Sequence, residues 1–232
     1  MKNQYFADRK DLYKLDLALE LMEKVPGLSQ FVYVAMLTGR DGTAHGSDTR
    51  YRRRSRRATL HAFLRERVER GERDVGRLSD FMRGMQFRYR PFLEPFEAPH
   101  RETYFRTVLR ARLNRALILL DPDTGLEPEG RRPGRSERHV TEDEVRAVHE
   151  RMGRDSVLAL IQFRDLNQTA RAHFGAVTDR LGRVARPGRC VCFAANGNLA
   201  FLILTTSGDR AGQVTRVLDD YGLRVGRYRP RA

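Results

Sequence analysis

The residues most suggestive of chemistry lie in "ALILLDPDTGLE", residues 116–127. Five apolar residues, Ala116 to Leu120, run straight into Asp121, Pro122 and Asp123, with Glu127 close behind. Two carboxylates at the end of an apolar run suit several reactions. In base-modifying methyltransferases, an acidic or amide residue with prolines at such a strand end holds the target amino group. Asp121 and Asp123, with Glu127, could instead serve a nuclease or phosphodiesterase by holding Mg²⁺, which takes one or two carboxylates and completes its shell with water and phosphate oxygens. In that case Lys2 or Lys14 would stabilise developing charge. The carboxylates could also pair with basic loop residues such as Arg131 and Arg132 and carry no reaction.

Other polar groups fall at similar places. "FVYVAMLTGRDGTAHG" ends a second apolar run in Thr38, Asp41 and Gly42, a glycine-rich segment that would receive S-adenosylmethionine. It lacks close glycine spacing, and glycine richness alone is a weak signal. "LIQFRDL" brings Gln162 and Arg164 to the end of a third run as substrate-binding candidates. No G-x-S-x-G elbow is present, which argues against a serine hydrolase of that type. Cys190 and Cys192 stand two apart, and zinc wants about four ligands, so they read as small core residues.

The whole chain carries a formal charge of +14 over 232 residues, and only four of its 44 basic residues are lysine. That excess favours a polyanionic partner, nucleic acid foremost. Six arginines fall between Arg50 and Arg57, interleaved with Tyr51. Of these, Arg52, Arg53, Arg54, Arg56 and Arg57 are the candidate phosphate contacts. No apolar run approaches the roughly 18 residues of a membrane span. The first residues lack a signal peptide's apolar core. The expectation is a cytoplasmic protein with no membrane partner.

Elements to position these groups can be read from periodicity. Leu12, Leu15, Leu19 and Met22 recur at helical spacing, and Pro26-Gly27 ends that helix. Strands are expected at 31–38, near 87–91 at a sheet edge because of Pro91, at 116–121 and at 156–163. Helices are expected to about Glu69 and over 75–83, 100–114, 166–181 and 210–221. Thr141 and Glu144 form a capping-box pattern. "CVCFAANGNLAFLILTT" reads as a hairpin about Asn196-Gly197, and "RVGRY" as a last strand. The order implies one α/β domain over 1–232, with a helical, Arg-rich insert at about 45–85. Its fold class is a Rossmann-like three-layer fold with a mostly parallel sheet ending in an antiparallel hairpin, as methyltransferases end. Ligands in such sheets bind beyond the carboxyl ends of the strands.

"MKNQYFADRKDLYK", "MLT..DG", "GERDV" and "LDPDTGLE" together resemble an uncharacterised prokaryotic family. Its members open Lys-Asn-Gln-Tyr-Phe-Gly-Asp and carry Phe-Asp-Pro-Asp-Asn-Gly-Leu-Glu at mid-chain. The resemblance implies an α/β, Rossmann-like domain without fixing an activity. It covers Lys2, Asn3, Gln4, Tyr5, Asp8, Asp11 and Lys14, then Asp121, Pro122, Asp123, Gly125, Leu126 and Glu127. Lys2, Asn3, Gln4 and Tyr5 are expected to fold over the strand ends and supply donors. The family shows Gln-His after the next strand, whereas this chain has Gln162-Phe163, so a general base is missing there in sequence.

Overall fold

The computed structural model describes residues 1–39, 48–49, 56–130, 134–184 and 190–227. A seven-stranded sheet runs through the molecule in the order β2-β1-β3-β6-β8-β7-β9. These strands are β1 (Gln30–Val34), β2 (Arg88–Phe92), β3 (Ala116–Leu120), β6 (Val157–Phe163), β7 (Cys190–Asn196), β8 (Leu199–Thr205) and β9 (Arg224–Arg227). β2, β1, β3 and β6 pair in parallel. β8 runs antiparallel between β6 and β7, and β9 is antiparallel to β7. The short strands β4 (Gly125–Leu126) and β5 (His139–Val140) pair separately.

Every residue of β1 and β3 is buried, as expected for parallel strands covered on both faces. Side chains alternate between two cores. Phe31, Tyr33, Leu117 and Leu119 join one face, and Val32, Val34, Ile118 and Leu120 the other. Helices α1 (Arg9–Lys24), α2 (Ala58–Glu69), α3 (Leu78–Met82) and α7 (Gly208–Asp220) contribute to the first core. Helices α4 (Arg101–Leu109), α5 (Glu142–Arg151) and α6 (Ala170–Val184) contribute to the second. This is an α/β, Rossmann-like three-layer arrangement. Among the described residues no helix is long and apolar enough to cross a membrane.

Local chemistry accounts for most boundaries. Asp8 caps α1 by accepting from the Lys10 and Asp11 amides. Thr141 and Glu144 form the expected capping box of α5. β2 pairs only with β1, so its Pro91 sits on an edge strand. Several boundaries differ from the sequence reading. α4 ends at Leu109 rather than 114, because Arg112 and Asn114 must present carbonyls to the Gln30 amide at 3.0 and 2.7 Å. α6 begins at Ala170 rather than 166, because Asp165 turns the chain onto the Asn167 amide and Thr169 Oγ1 accepts from the Ala172 amide. The hairpin turns on Gly197 and Asn198, one residue later than expected, with Asn196 still paired to Leu199. Gly197 has φ 64°, as a glycine at the first central position of such a turn allows.

β1 is also shorter than the expected 31–38. It leaves the sheet after Val34, and Met36 adopts a left-handed φ of 46°. A non-glycine residue there costs about 1–2 kcal/mol. The reason lies in what the Met36 carbonyl meets.

Candidate active site

The chain passes from β1 to β2 on one side of β1, then crosses back to β3 on the other. The carboxyl ends of β1 and β3 therefore flank a topological switch point, the usual ligand crevice of an open α/β sheet. Here the chain's own first residues fill it. The Met1 ammonium donates to the Met36 carbonyl at 2.9 Å and to the Asp121 carbonyl at 3.0 Å. It also faces Asp123 Oδ1 at 2.9 Å. The Met1 carbonyl accepts from the Thr38 amide at 2.8 Å. The left-handed Met36 is what aims its carbonyl at this ammonium.

Asp121 is buried and turns inward. Its Oδ2 accepts from Lys14 Nζ at 2.7 Å and from the Tyr33 hydroxyl at 2.8 Å. Lys14 Nζ also meets Asp11 Oδ1 at 2.7 Å. Both Lys14 Nζ and Tyr33 Oη lie against the Met1 thioether, at 3.5 and 3.4 Å. Asp11 Oδ2 accepts from the Ala7 amide at 3.1 Å. Asp123 turns the other way: its Oδ2 accepts from Thr38 Oγ1 at 2.7 Å and lies 3.5 Å from Lys2 Nζ. Lys2 also stands 5.9 Å over the Tyr5 ring.

Among the described residues Lys14 is thus divided between Asp11 and Asp121, while Met1 and Lys2 both face Asp123. The imbalance appears at Asp11. Burial, reinforced by Asp8 and Asp121 against the pull of Lys14, pushes its carboxyl up to about 7. Asp8 is raised for the same leading reason, burial. Burial works against the Lys14 ammonium, yet Asp11 and Asp121 outweigh it and raise the lysine above its ordinary value. Burial also opposes ionisation of Asp123, but the Met1 ammonium, Thr38 and Lys2 hold it below the usual carboxylate range. Burial lowers the Met1 ammonium despite Asp123 and Asp121.

The resemblance motifs meet in space. Residues Asn3–Tyr5 form a short 3-10 turn. The Asn3 side chain accepts from the Val75 amide at 3.1 Å, and the Gln4 carbonyl accepts from Arg73 at 2.8 Å. "GERDV" therefore anchors the opening segment over the strand ends. Gln162, at the end of β6, has a positional role. Its Oε1 accepts from the Leu126 amide at 2.8 Å, and its Nε2 donates to the Phe163 carbonyl at 2.9 Å. A Cβ on Gly125 (φ 132°) would come within 2.3 Å of that Oε1, so the loop after Asp123 requires glycine there. His173 of α6 packs against the Gln162-Phe163 pair. His173 Nε2 lies 3.1 Å from the Phe163 carbonyl and 3.2 Å from Gln162 Nε2.

Several candidates lie apart from this pair. Glu127 accepts from the Gly134 amide at 3.0 Å, and its carbonyl accepts from Arg180 at 2.8 Å. The Arg164 amide donates to the Asn198 carbonyl at the hairpin tip. Arg57 pairs with Asp16, Glu20 and Glu23 at 3.3, 3.0 and 2.6 Å. Arg56 reaches Glu20 at 3.0 Å and also donates to the Asp220 carbonyl. Both thus bind the acidic flank of α1. Asp41, Gly42, Arg52, Arg53, Arg54, Arg131 and Arg132 fall outside the described residues. Cys190 and Cys192 lie on β7, and their side chains are outside what is described. Among the described residues no group of three or more His, Cys, Asp or Glu side chains converges as a metal-ligand set.

Sequence reasoning missed Tyr33 and had Asp8 and Asp11 only as members of the opening motif, with no role assigned. The i, i+3, i+6 spacing of Asp8, Asp11 and Lys14 was the available signal. Nothing in sequence marks Tyr33 among the apolar residues of β1. No protein-family model matches this chain, and no curated protein matches it either.

Proposed function

We propose that the protein is a methyltransferase-like enzyme acting on nucleic acid or a nucleotide-containing substrate. One observation carries the reading: β8 returns antiparallel between β6 and β7, while Asp121-Pro122-Asp123 ends β3 beside β1. A hairpin strand inserted at that place distinguishes methyltransferases from other doubly wound sheets, and an acidic-proline motif ends the corresponding strand in their base-modifying members.

The crevice suits the methionyl part of S-adenosylmethionine, because a methionine already occupies it. The carbonyls of Met36 and Asp121 hold the ammonium of Met1, and would hold that of the cofactor once Met1 withdraws. When bound, the cofactor supplies an activated methyl group. The chain's own part is positional. Asp123 accepts from the target amino group. Lys14 and Tyr33 fix the Asp121 carboxylate. Gln162 and Gly125 set the loop that carries Asp123. Thr38 lines the cofactor side; Lys2, Asn3, Gln4 and Tyr5 cover the substrate side.

Titrating S-adenosylmethionine into the intact chain tests this. At 100 times its dissociation constant the ligand adds about 2.7 kcal/mol to stability, read as a thermal shift. Labelled methyl transfer to DNA or RNA that Asp123→Ala abolishes is the expected companion result. Absence of any cofactor binding, or strand cleavage that depends on Mg²⁺, sinks the reading; the second outcome would turn Asp121 and Asp123 into metal ligands.

A further inference from the structure

Among the described residues many arginines are ion-paired, as Arg57 is with α1 and Arg101 with Glu144. One cluster of them is not. Between Glu102 and Asp121 the sequence contains no carboxylate but includes Arg110, Arg112 and Arg115. The fold gathers these three with Arg88, Arg151 and Arg154 at the amino-terminal ends of the strands, opposite Asp121 and Asp123. Arg88 opens β2 and pairs with Gln30 in register. Arg115 directly precedes β3, and Arg154 shortly precedes β6.

Backbone and side-chain hydrogen bonds knit these loops into one surface. The Arg115 carbonyl accepts from the Ser29 amide at 2.8 Å, and the Arg88 amide donates to the Ser29 carbonyl at 3.1 Å. The Arg112 carbonyl accepts from Gln30 at 3.0 Å. The Gly153 amide donates to the Leu113 carbonyl at 3.1 Å, and Arg151 Nε to the Leu109 carbonyl at 3.2 Å. All six arginine residues are exposed. None of the six makes an ion pair among the described residues; Asp155, the nearby carboxylate, is engaged by Arg210.

We infer that this strand-start face is a docking surface for the phosphate backbone of a nucleic acid. Four adjacent strand starts at about 4.8 Å spacing make a row of about 14 Å, long enough to meet several phosphates. Guanidinium groups match phosphate in a bidentate fork. Among the described residues the one large apolar side chain that is exposed is Leu166, beyond the far end of β6. The face therefore lacks an apolar wedge for a bilayer, and it lacks aromatic platforms for unstacked bases. Contacts of this kind position the partner without reading its sequence.

The test measures anisotropy of a labelled 20-base-pair DNA duplex, and of an RNA duplex of the same sequence, with the intact chain across a salt series. It needs no cofactor, so its result is separable from that of the methyltransferase reading. Arg88→Gln, Arg112→Gln and Arg154→Gln together should weaken binding at least tenfold. They should also reduce the slope of log K against log salt by about 2–3, at roughly 0.9 per lost phosphate contact on DNA. Unchanged melting of the triple variant shows that it is folded. Arg138→Gln, Arg171→Gln and Arg216→Gln, which remove equal charge elsewhere, should leave affinity within about threefold. Equal loss in both sets, full binding by the strand-start variant, or tighter binding to anionic phospholipid vesicles than to either duplex overturns the inference. The DNA and RNA arms decide which backbone is preferred.

Discussion

Asp11 is the residue at which the buried charges fail to balance, and this has a consequence for stability. Its folded-state value of about 7 lies above the ordinary 3.8. Between those values the folded protein holds a proton that the unfolded chain has released. Stability contributed at Asp11 is therefore highest below pH 4, falls as pH rises towards 7, and is level above that. Asp123 has the opposite sign: its depressed value adds stability that is present above the ordinary carboxylate range and lost on acidification. Urea unfolding from pH 4.5 to 8 checks the first effect. Asp11→Asn should gain on the native protein as pH rises; a difference that stays constant with pH contradicts the assignment. At Gly125 the argument is steric. Gly125→Ala combines a positive φ with a clash against Gln162 and should cost about 3 kcal/mol or more, measured by chemical denaturation. Gln162→Ala should relieve much of that penalty in the double variant, because the clashing atoms belong to it.

The loop carrying the acidic pair is held from outside the sheet by small elements. β4 and β5 pair beside it, and the Thr124 amide bonds the Arg138 carbonyl at 3.0 Å. Arg101, at the start of α4, fastens this unit. It grips both oxygens of Glu144 at 2.8 and 2.6 Å and donates to the carbonyls of Ser136 and His139 at 2.8 and 3.0 Å. Arg101→Ala should destabilise by about 3 kcal/mol, because it leaves the buried side of Glu144 and two carbonyls without their donor. Calorimetric melting checks this, and loss should extend to any activity located at Asp123. These contacts were illegible in sequence, since Arg101 is one of forty arginines and its partners are 35 to 43 residues away. The capping box of α5, the edge position of Pro91 and the apolar strands were legible because each is a local rule. The lengths of β1 and α4 were not, because distant carbonyl partners decide where each stops.

At the scale of the whole molecule, sequence reading placed the acidic pair at strand ends with the opening residues above it, and the structure has that geometry. It did not foresee that Met1 itself enters the crevice, since an apolar first residue carries no pattern. Removing Met1 and Lys2 would leave Asp123 facing Thr38 without either of its cations. Breaking buried pairs of this type costs about 3–5 kcal/mol, so the melting temperature should fall by roughly 10 °C. A drop of less than about 2 °C in differential scanning calorimetry would show the segment to be passive.

The same arrangement sets an order for biosynthesis. Met1 binds a carbonyl 120 residues downstream, and Asp16 on α1 receives the Tyr221 hydroxyl from 205 residues away at 2.5 Å. Helix α1 thus finds its full set of neighbours only once residues some 205 positions later in the chain are in place. Until then its leucines stay uncovered, a window in which a nascent chain is open to aggregation and chaperone capture.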